Sequence, residues 1–302
     1  MPKKNFWKNA KKSWAGKMIS GIINVLKPAG MTSNGVLSQI KKSLHPNKIG
    51  HLGTLDPSAT GVLPVCINKA TKLFDLYLKK EKVYRTIFVF GKETTTLDSD
   101  GEATNQNGVV VEETNLITVL KTFIGKQLQM PPKYSAKKIN GKNAYDLARQ
   151  NVDFELAPKE IEIFEINLVA KLSINKFLID IKCSAGTYIR SLARDIAQKL
   201  GTFGYMGALI RLKSGNFDIK DSVMLDEITE QSIIPLENVL KDRKKIFISD
   251  KFYDKINNGC SVKVDGADEQ NIVVYCKNTL FGLGNIENGT LKLSVNLKEK
   301  ND

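Results

Sequence analysis

One twelve-residue run, 50–61, constrains the fold of this chain more than any other stretch. It reads GHLGTLDPSATG and contains three glycines, one histidine, one carboxylate and one proline. Glycine adopts backbone angles that other residues avoid, and proline fixes its own φ and donates no hydrogen bond. Because Pro57 also disfavours the helical region for the residue before it, the run predicts a stiff loop around Asp56. The apolar run that follows, 62–67, reads as a strand.

Two interpretations of Asp56 follow from the residues alone. Catalytic groups are often placed on loops that a rigid scaffold supports, and a carboxylate here would suit that role. Asp and Gly also dominate ordinary turns, so spacing by itself favours a turn-forming aspartate.

The longer run 50–73 resembles the central motif of the TruB family, the bacterial synthases that make pseudouridine in the T loop of tRNA. The usual family form is G-H-x-G-x-L-D-P-x-A-T-G-x-L-P, and every fixed position is present here. Leu52 stands where a small or polar residue is common. The resemblance implies that Asp56 is the catalytic aspartate.

Further motifs of the family occur along the chain. Residues 27–33, KPAGMTS, match its opening motif, which the residues alone favour as scaffold. Residues 82–85, KVYR, match the motif in which a tyrosine, here Tyr84, contacts the target base. Residues 186–195, GTYIRSLARD, match the motif whose arginine, here Arg190, pairs with the catalytic aspartate.

The same resemblance implies the lining of the base pocket and one departure from it. Tyr188 and Leu209 correspond to pocket residues. The run 207–212, GALIRL, resembles the family's L-R-R-L, but Ile210 replaces an arginine, so one phosphate contact of the family is not expected here.

RNA contacts are predicted from a basic loop and from His51. Residues 130–142 resemble the family's P-P-x-Y-S-A-x-K-x-x-G motif and suit a loop along a phosphate backbone, or else a solvated basic turn. Its lysines are Lys133, Lys137, Lys138 and Lys142. In the family the histidine that matches His51 contacts the T loop and fills the space left by the extruded base. The alternative is that His51 only stabilises its own loop.

Charge and composition indicate a partner and a compartment. The net charge of +13 over 302 residues favours a nucleic-acid partner, with a merely basic protein as the alternative. The sequence contains no run of eighteen apolar residues, so no membrane helix is expected. The Lys-rich start is not followed by the apolar segment of a secretory signal, so none is expected. The four cysteines read as free thiols in a reducing cytoplasm. With two histidines we expect no metal site, and a redox-neutral isomerisation needs no cofactor.

Hydrophobic periodicity supports mixed helices and strands. Apolar residues at 36, 37, 40 and 44 and at 189, 192, 193 and 196 predict helices, as do those at 73, 74, 77 and 78. A further helix is predicted to end at a Gly125 cap, and Thr187 is a candidate cap for the helix after it. The resemblance implies the pseudouridine-synthase α/β (α+β) fold, with a mixed, mostly antiparallel sheet and packed helices.

Three regions are predicted along the chain. They are a basic arm at 1–17, a catalytic domain at 18–240 and a small β-rich module of PUA type at 241–302. The C-terminal module is predicted from short strand-like runs, separated by glycines, that follow the charged linker 241–245.

The resulting functional hypothesis is an RNA pseudouridine synthase that acts on the T stem-loop of tRNA, expected to be a monomer. Whether Asp56 attacks covalently or removes the 2′ proton stays open. An RNA-binding tRNA-folding chaperone is the alternative, but it predicts loss of Asp56, Tyr84 or Arg190, and all three are present. A hydrolase that uses His51 and Asp56 is disfavoured, because no G-x-S-x-G signature occurs.

Overall fold

The computed structural model describes residues 19–135, 138–139, 142–143, 147, 150, 152 and 154–299, so the predicted arm at 1–17 lies outside it. Within these residues no helix is long and apolar enough to cross a membrane. The α-helices are α1 (Ser33–Leu44), α2 (Phe74–Leu78), α3 (Glu113–Lys121), α4 (Ile189–Lys199), α5 (Leu236–Val239) and α6 (Tyr253–Asn257). Short 3₁₀ helices occur at Asn68–Leu73, Ile219–Asp221, Leu225–Glu227, Glu230–Ser232 and Asp250–Phe252.

Strands make up most of the remaining regular structure. The first part of the chain contains β1 (Gly21–Lys27), β2 (Ile49–His51), β3 (Thr60–Ile67), β4 (Lys82–Phe90), β5 (Lys92–Thr94), β6 (Ala103–Gln106), β7 (Gly125–Gln129), β8 (Lys138–Ile139) and β9 (Lys142–Asn143). The second part contains β10 (Lys159–Ser173), β11 (Lys176–Cys183), β12 (Gly204–Ser214), β13 (Phe217–Asp218), β14 (Val223–Met224), β15 (Ile234–Pro235), β16 (Lys245–Ile248), β17 (Val262–Lys263), β18 (Glu269–Cys276), β19 (Thr279–Glu287) and β20 (Thr290–Asn296).

One large sheet organises the molecule. Its strand order is β14-β1-β3-β12-β4-β11-β10-β7, with β13, β15 and β2 paired alongside. Among the described residues, its strands pair antiparallel except β1 with β14 and β3 with β12. The predicted mixed, mostly antiparallel sheet is therefore confirmed, and β3, β12 and β4 lie side by side at its centre.

Helices α1 and α4 cover the large sheet through the apolar faces that their sequences predict. Both faces enter one hydrophobic core with alternate residues of the central strands, because successive side chains of a strand point to opposite faces. The buried members from these two helices are Val36, Ile40, Ile189, Leu192, Ala193, Ile196 and Ala197. Helix α4 thereby lies against β12, with its first residue near the end of β11.

The C-terminal part of the chain forms a separate five-stranded sheet in the order β16-β18-β19-β20-β17. This β-rich module was predicted. It has its own core, which includes Ile256, Val274 and Phe281, and a second core that it shares with α2 and α5. The Tyr77 hydroxyl on α2 donates a 2.8 Å hydrogen bond to the Val239 carbonyl on α5 at this junction.

Two local predictions differ from the structure. The amphipathic segment at 73–78 divides into a 3₁₀ helix and the five-residue α2, which follows it directly. Helix α3 ends at Lys121 with Thr122 as its C-terminal cap, so Gly125 is not the cap. Gly125, at φ +106°, instead opens β7, where a positive φ turns the chain from the helix into the sheet.

Candidate active site

Asp56 lies in the loop between β2 and β3, which are antiparallel neighbours in the large sheet. Its apolar neighbours Leu55 and Ala59 are buried at 4% and 1% exposure, and the Ala59 amide donates to the Asp56 carbonyl at 3.1 Å. These contacts fix the loop on the core, while the Asp56 side chain stays 32% exposed. A carboxylate that is held on a fixed backbone and remains reachable can act on a substrate.

Two buried side chains of the opening motif hold this loop by its backbone. The Ser33 hydroxyl at the start of α1 donates to the Leu55 carbonyl and accepts from the Leu55 amide, both at 2.9 Å. The fully buried Lys27 ammonium donates to the carbonyl of Pro57 at 3.1 Å and to that of Pro28 at 2.7 Å. The segment at 27–33 is a scaffold, as predicted, and its particular role is to position Asp56.

Arg211 of β12 holds the other side of the loop. Its guanidinium is 1% exposed and donates to the carbonyls of Val62 at 2.7 Å, Gly53 at 3.0 Å and Thr54 at 3.4 Å. One planar fork therefore joins the loop on both sides of Asp56 to the central strand of the sheet.

Gly61 allows the loop to approach Arg211 this closely. Its φ is +106°, and a Cβ there would lie 2.3 Å from the Arg211 carbonyl oxygen. Gly61→Ala is therefore expected to lower the free energy of unfolding by about 2–4 kcal/mol, from backbone strain together with overpacking. Gly30→Ala is the control for strain alone, because its φ is +78° and a Cβ would meet nothing within 4 Å. Equal losses in urea denaturation of the two variants would contradict the close approach.

Arg190, in the first turn of α4, pairs with Asp56. Its Nε lies 3.0 Å from Asp56 Oδ2, and its Nη2 donates to Asp56 Oδ1 at 3.2 Å. Two contacts from one fork to both carboxylate oxygens fix the orientation of the carboxylate as well as its charge. The same guanidinium donates to the carbonyls of Thr96 at 3.1 Å and Tyr134 at 3.0 Å.

A second carboxylate, Asp98, completes this cluster. Its side chain is 6% exposed, and its Oδ2 lies 3.3 Å from Arg190 Nη1. Its other oxygen accepts from the Thr96 hydroxyl and from the Asp100 amide. Arg190 therefore bridges two carboxylates, and Asp98 fixes the guanidinium from the side opposite Asp56.

The start of α4 is capped differently from the prediction. Tyr188 is the N-cap, and the Thr187 hydroxyl donates back to the Ser184 carbonyl, so Thr187 is not the cap. The buried Gln129 amide of β7 accepts from the Tyr188 amide at 2.8 Å and donates to the Tyr188 carbonyl at 3.1 Å. This side chain from a distant strand fixes the helix turn that carries Arg190.

Burial and the neighbouring charges act on the pKa of Asp56 in opposite directions. Burial raises the pKa of its carboxyl above the ordinary value, the Arg190 guanidinium lowers it, and Asp98 raises it. Burial also lowers the pKa of the nearby Lys27 to about 8, although Asp56 favours its charged form. The ionised state of Asp56 therefore depends on the cations around it.

A cavity of about 510 Å³ opens over Asp56 and Arg190. Tyr84 of β4, Tyr188 and Leu209 of β12 line it together with those two residues, so all five predicted pocket residues meet there. Tyr84 is 8% exposed, and burial raises the pKa of its phenol. The volume is in the range of small-molecule sites and suits one nucleotide.

Two of the predicted RNA-contact residues, His51 and Lys133, do not line this cavity. His51 is outside the lining of this cavity; its Nδ1 is buried without a hydrogen-bond partner among the described residues, and burial lowers its pKa. Lys133 is exposed. The backbones of Lys138 and Lys142 belong to a two-stranded ladder, β8 with β9, and Lys137 lies outside the described residues.

Sequence reasoning missed four charged residues of the site: Lys27, Lys82, Asp98 and Arg211. Each was read as part of a motif or strand without a role. Arg211 stands inside the apolar run 208–212, and a charge at a core position of a strand is the signal that could have found it. Lys27 and Lys82 stand at strand ends, where the sequence gives no such signal. Among the described residues, no three side chains of His, Cys, Asp or Glu lie together as metal ligands would.

Comparison with known proteins defines the class of this molecule. A family model described as "TruB family pseudouridylate synthase (N terminal domain)" matches residues 41–189. A second, "tRNA pseudouridylate synthase B C-terminal domain", matches residues 190–244. A solved structure described as "Structure of H/ACA RNP bound to a substrate RNA containing 2′-deoxyuridine" aligns with a TM-score of 0.66 and 25% identity over 92% of this chain and 84% of that chain. The fold is that of a pseudouridine synthase.

Two curated relatives place the chain more closely. A tRNA pseudouridine synthase B of Alkaliphilus oremlandii is 37% identical over 282 residues, which are 89% of this chain and 94% of the relative. A protein of the same name from Clostridium acetobutylicum is 38% identical over 286 residues, 93% of this chain and 97% of the relative. The chain belongs to the TruB family.

Proposed function

We propose that this enzyme isomerises uridine to pseudouridine in the T loop of tRNA, at position 55, with Asp56 as the reacting carboxylate. The observation that carries the proposal is the Asp56–Arg190 ion pair in the wall of a nucleotide-sized cavity. The relatives named tRNA pseudouridine synthase B support tRNA as the substrate. The motif around Asp56 supports the T loop.

The reaction breaks the N1–C1′ bond of uridine, turns the freed uracil and joins its C5 to C1′. Asp56 acts either as a nucleophile at the ribose or as the base that removes the 2′ proton. Both routes require the ionised carboxylate in a fixed orientation, which the two contacts from Arg190 provide. No electrons are gained or lost overall, so the reaction needs no cofactor.

Tyr84, Tyr188 and Leu209 hold the target base in this proposal. Tyr84 stacks on the uracil and serves proton transfer at C5, and the other two complete the cavity wall. Because these residues come from three elements packed on one sheet, the walls are preformed, and the free uracil is retained between cleavage and rejoining.

The uridine must leave its stack to reach Asp56, which costs a few kcal/mol. His51, five residues before Asp56, fills the vacated space in the T loop. The lysines at 133, 137, 138 and 142 follow the phosphate backbone of the tRNA. Phosphate contacts supply affinity and position, while the pocket supplies selection of the base.

A direct experiment tests this function. The purified protein is incubated with an unmodified tRNA transcript, and pseudouridine is mapped chemically along the product. We expect conversion at position 55 and at no other uridine. A wild-type protein that binds the transcript and leaves every uridine unchanged would favour the alternative, a tRNA-folding chaperone.

The basic loop gives a second prediction. Replacing Lys133 and Lys137 by Ala is expected to weaken tRNA binding and reduce the slope of log K against log salt by about 1–2. The single-turnover rate of bound tRNA is expected to stay unchanged. Lys255 and Lys263 of the C-terminal module, both exposed, provide a control of equal charge change. An unchanged salt slope would mean that the loop is only a solvated turn.

The remaining assignments are part of the same proposal. We infer that 18–240 is the catalytic domain and that 241–302 is a module of PUA type; the second family match ends nearby, at residue 244. The enzyme acts as a monomer on cytoplasmic tRNA and needs no metal, so activity is expected to survive EDTA.

A further inference from the structure

Lys82, at the start of β4, has no acceptor for its ammonium in the described part of the chain. The residue is 5% exposed, lines the cavity, and its Nζ has no hydrogen-bond partner there. A buried charge without a partner costs stability, so a lysine at this place needs a reason outside the folding of the chain.

The two buried arginines of the cavity bond to groups of the protein itself. Arg190 bonds two carboxylates and two carbonyls, and Arg211 bonds three carbonyls. Each of these guanidinium groups holds the structure of the site. Lys82 alone among these three presents its donors to the cavity, where a substrate is the available acceptor.

The sheet separates Lys82 from Asp56. Asp56 enters the cavity from the loop before β3 and Lys82 from β4, and β12 lies between these strands. Two strand spacings, about 10 Å, separate the two strands across the sheet. Lys82 also pairs with Ser214, four residues along β12 from Ile210, the partner of Thr60, so a nucleoside has room between the two groups. If Asp56 meets the ribose, Lys82 therefore meets the far end of the base.

Neighbouring residues place Lys82 beside the base as well. It shares the buried face of β4 with Tyr84, two residues along, which is about 7 Å of strand. The exposed Lys79 and Lys159 also line the cavity and are better placed for phosphates, which stay at the solvent-exposed backbone of the RNA.

We propose that the Lys82 ammonium donates to a carbonyl oxygen of the target uracil and stabilises the uracil anion that forms when the N1–C1′ bond breaks. This inference rests on the proposed function. The electron pair of the broken bond leaves with the base, whichever of the two roles Asp56 takes at the ribose. The pair of electrons is then used in the new C5–C1′ bond; afterwards C5 loses its proton and N1 gains one. Lys82 gives up no proton in this sequence.

The charges around Lys82 are consistent with that role. The pKa of Lys82 is lowered to about 8, mainly by burial and also by the Arg211 cation on β12. Cys183, which pairs with Lys82 from β11, raises this pKa. The ammonium form therefore still predominates at pH 7. Preorganised donors at a developing negative charge are among the largest contributions to enzymatic rates.

The test compares Lys82→Met with the wild type and with Lys176→Met, a control at an exposed lysine that pairs with Val89, near the other end of β4. Lys82→Met keeps the length of the side chain and removes its charge. We expect an unchanged dissociation constant for tRNA, an unfolding temperature at or above the wild type, and a single-turnover rate lowered about 100-fold or more. Lys176→Met, which makes the same chemical change outside the cavity lining, is expected to keep the wild-type single-turnover rate.

A second substrate identifies the step. In 5-fluorouridine at the target position, the fluorine stabilises the departing anion. With this substrate, the loss of uracil–ribose cleavage rate caused by Lys82→Met is expected to be about tenfold smaller than with uridine. Equal losses with both substrates, together with weaker binding, would overturn the inference in favour of a phosphate contact. A Lys82→Met rate near the wild type would overturn it directly.

A folding defect is distinguished by a further variant. If Lys82→Met unfolds at a lower temperature, Lys82→Gln is measured in the same assays; a loss of rate that follows the loss of stability in both would overturn the inference. A wild type that forms no pseudouridine in any tRNA overturns the proposed function itself, which separates that failure from this one.

Discussion

Asp56→Asn is expected to bind tRNA as tightly as the wild type and to form no detectable pseudouridine. Asparagine keeps the shape of the side chain but has no negative charge and no reactive oxygen. Binding is retained because affinity for RNA comes mainly from phosphate contacts outside the cavity. Removing the reacting group is expected to reduce the single-turnover rate by more than about 10⁴-fold.

The same variant is not expected to lose stability at neutral pH. Burial raises the pKa of Asp56, so the folded state binds a proton more readily than the unfolded chain does. Stability contributed by this group is therefore lost as pH rises above the ordinary value of 3.8, and asparagine removes that cost. Arg190 keeps Asp98 and two carbonyls as partners in the variant.

The measurement is single-turnover conversion at saturating enzyme, which separates chemistry from binding. Asp75→Asn, an exposed aspartate on α2, is the control for the same chemical change away from the site. A wild-type rate in Asp56→Asn would show that another group reacts with the ribose, and the assignment of the cavity would have to be abandoned.

The local features of this site could be predicted from sequence because they depend on short-range chemistry. The glycines and the proline of the run at 50–61 predict the loop around Asp56 and the strand after it, and both are present. The strand β2 before the loop was not predicted, and both ends of the run belong to strands. The strand at 82–90 and the helices at 33–44 and 189–199 follow from apolar periodicity. Their residues alone did not say which polar groups would meet, and the family resemblance supplied that.

The contacts that hold the site depend on long-range pairing and were not predictable. Gln129, on a strand 59 residues earlier, fixes the N-cap residue Tyr188 through both its amide and its carbonyl, and Thr187, the local candidate, does not cap α4. Arg211 reaches the Asp56 loop because β12 inserts between β3 and β4, and a crossover of that kind leaves no local signal in the chain. Asp98 lies 92 residues before Arg190 in the chain, and only the fold brings the two together.

Arg190→Met is expected to lose both catalysis and stability. The change leaves two carboxylates without their shared cation, one of them, Asp98, only 6% exposed. Breaking a buried ion pair by removal of one partner costs about 3–5 kcal/mol, and we expect a loss of that size in urea denaturation. Arg194→Met, at the partly exposed Arg194–Asp195 pair one turn along α4, is the control and is expected to cost much less.

One double variant and one single variant separate charge from geometry. Asp98→Asn in the Arg190→Met background removes one of the unpaired carboxylates, so the combined loss of stability is expected to be smaller than the sum of the single losses. Arg190→Lys restores a charge without the planar fork that contacts both Asp56 oxygens. It is expected to recover stability more completely than rate.

The pH dependence identifies the part that Arg190 has in catalysis. In the wild type the guanidinium lowers the pKa of Asp56 against the effects of burial and Asp98. Without it the pKa rises further, and because the ionised form reacts, the rate of Arg190→Met is expected to be lowest in acid and to recover as pH increases. The single-turnover rate is measured from pH 5 to pH 9 for the variant and the wild type. An acid limb at the same pH in both would mean that Arg190 only supports the fold and does not hold Asp56 ionised.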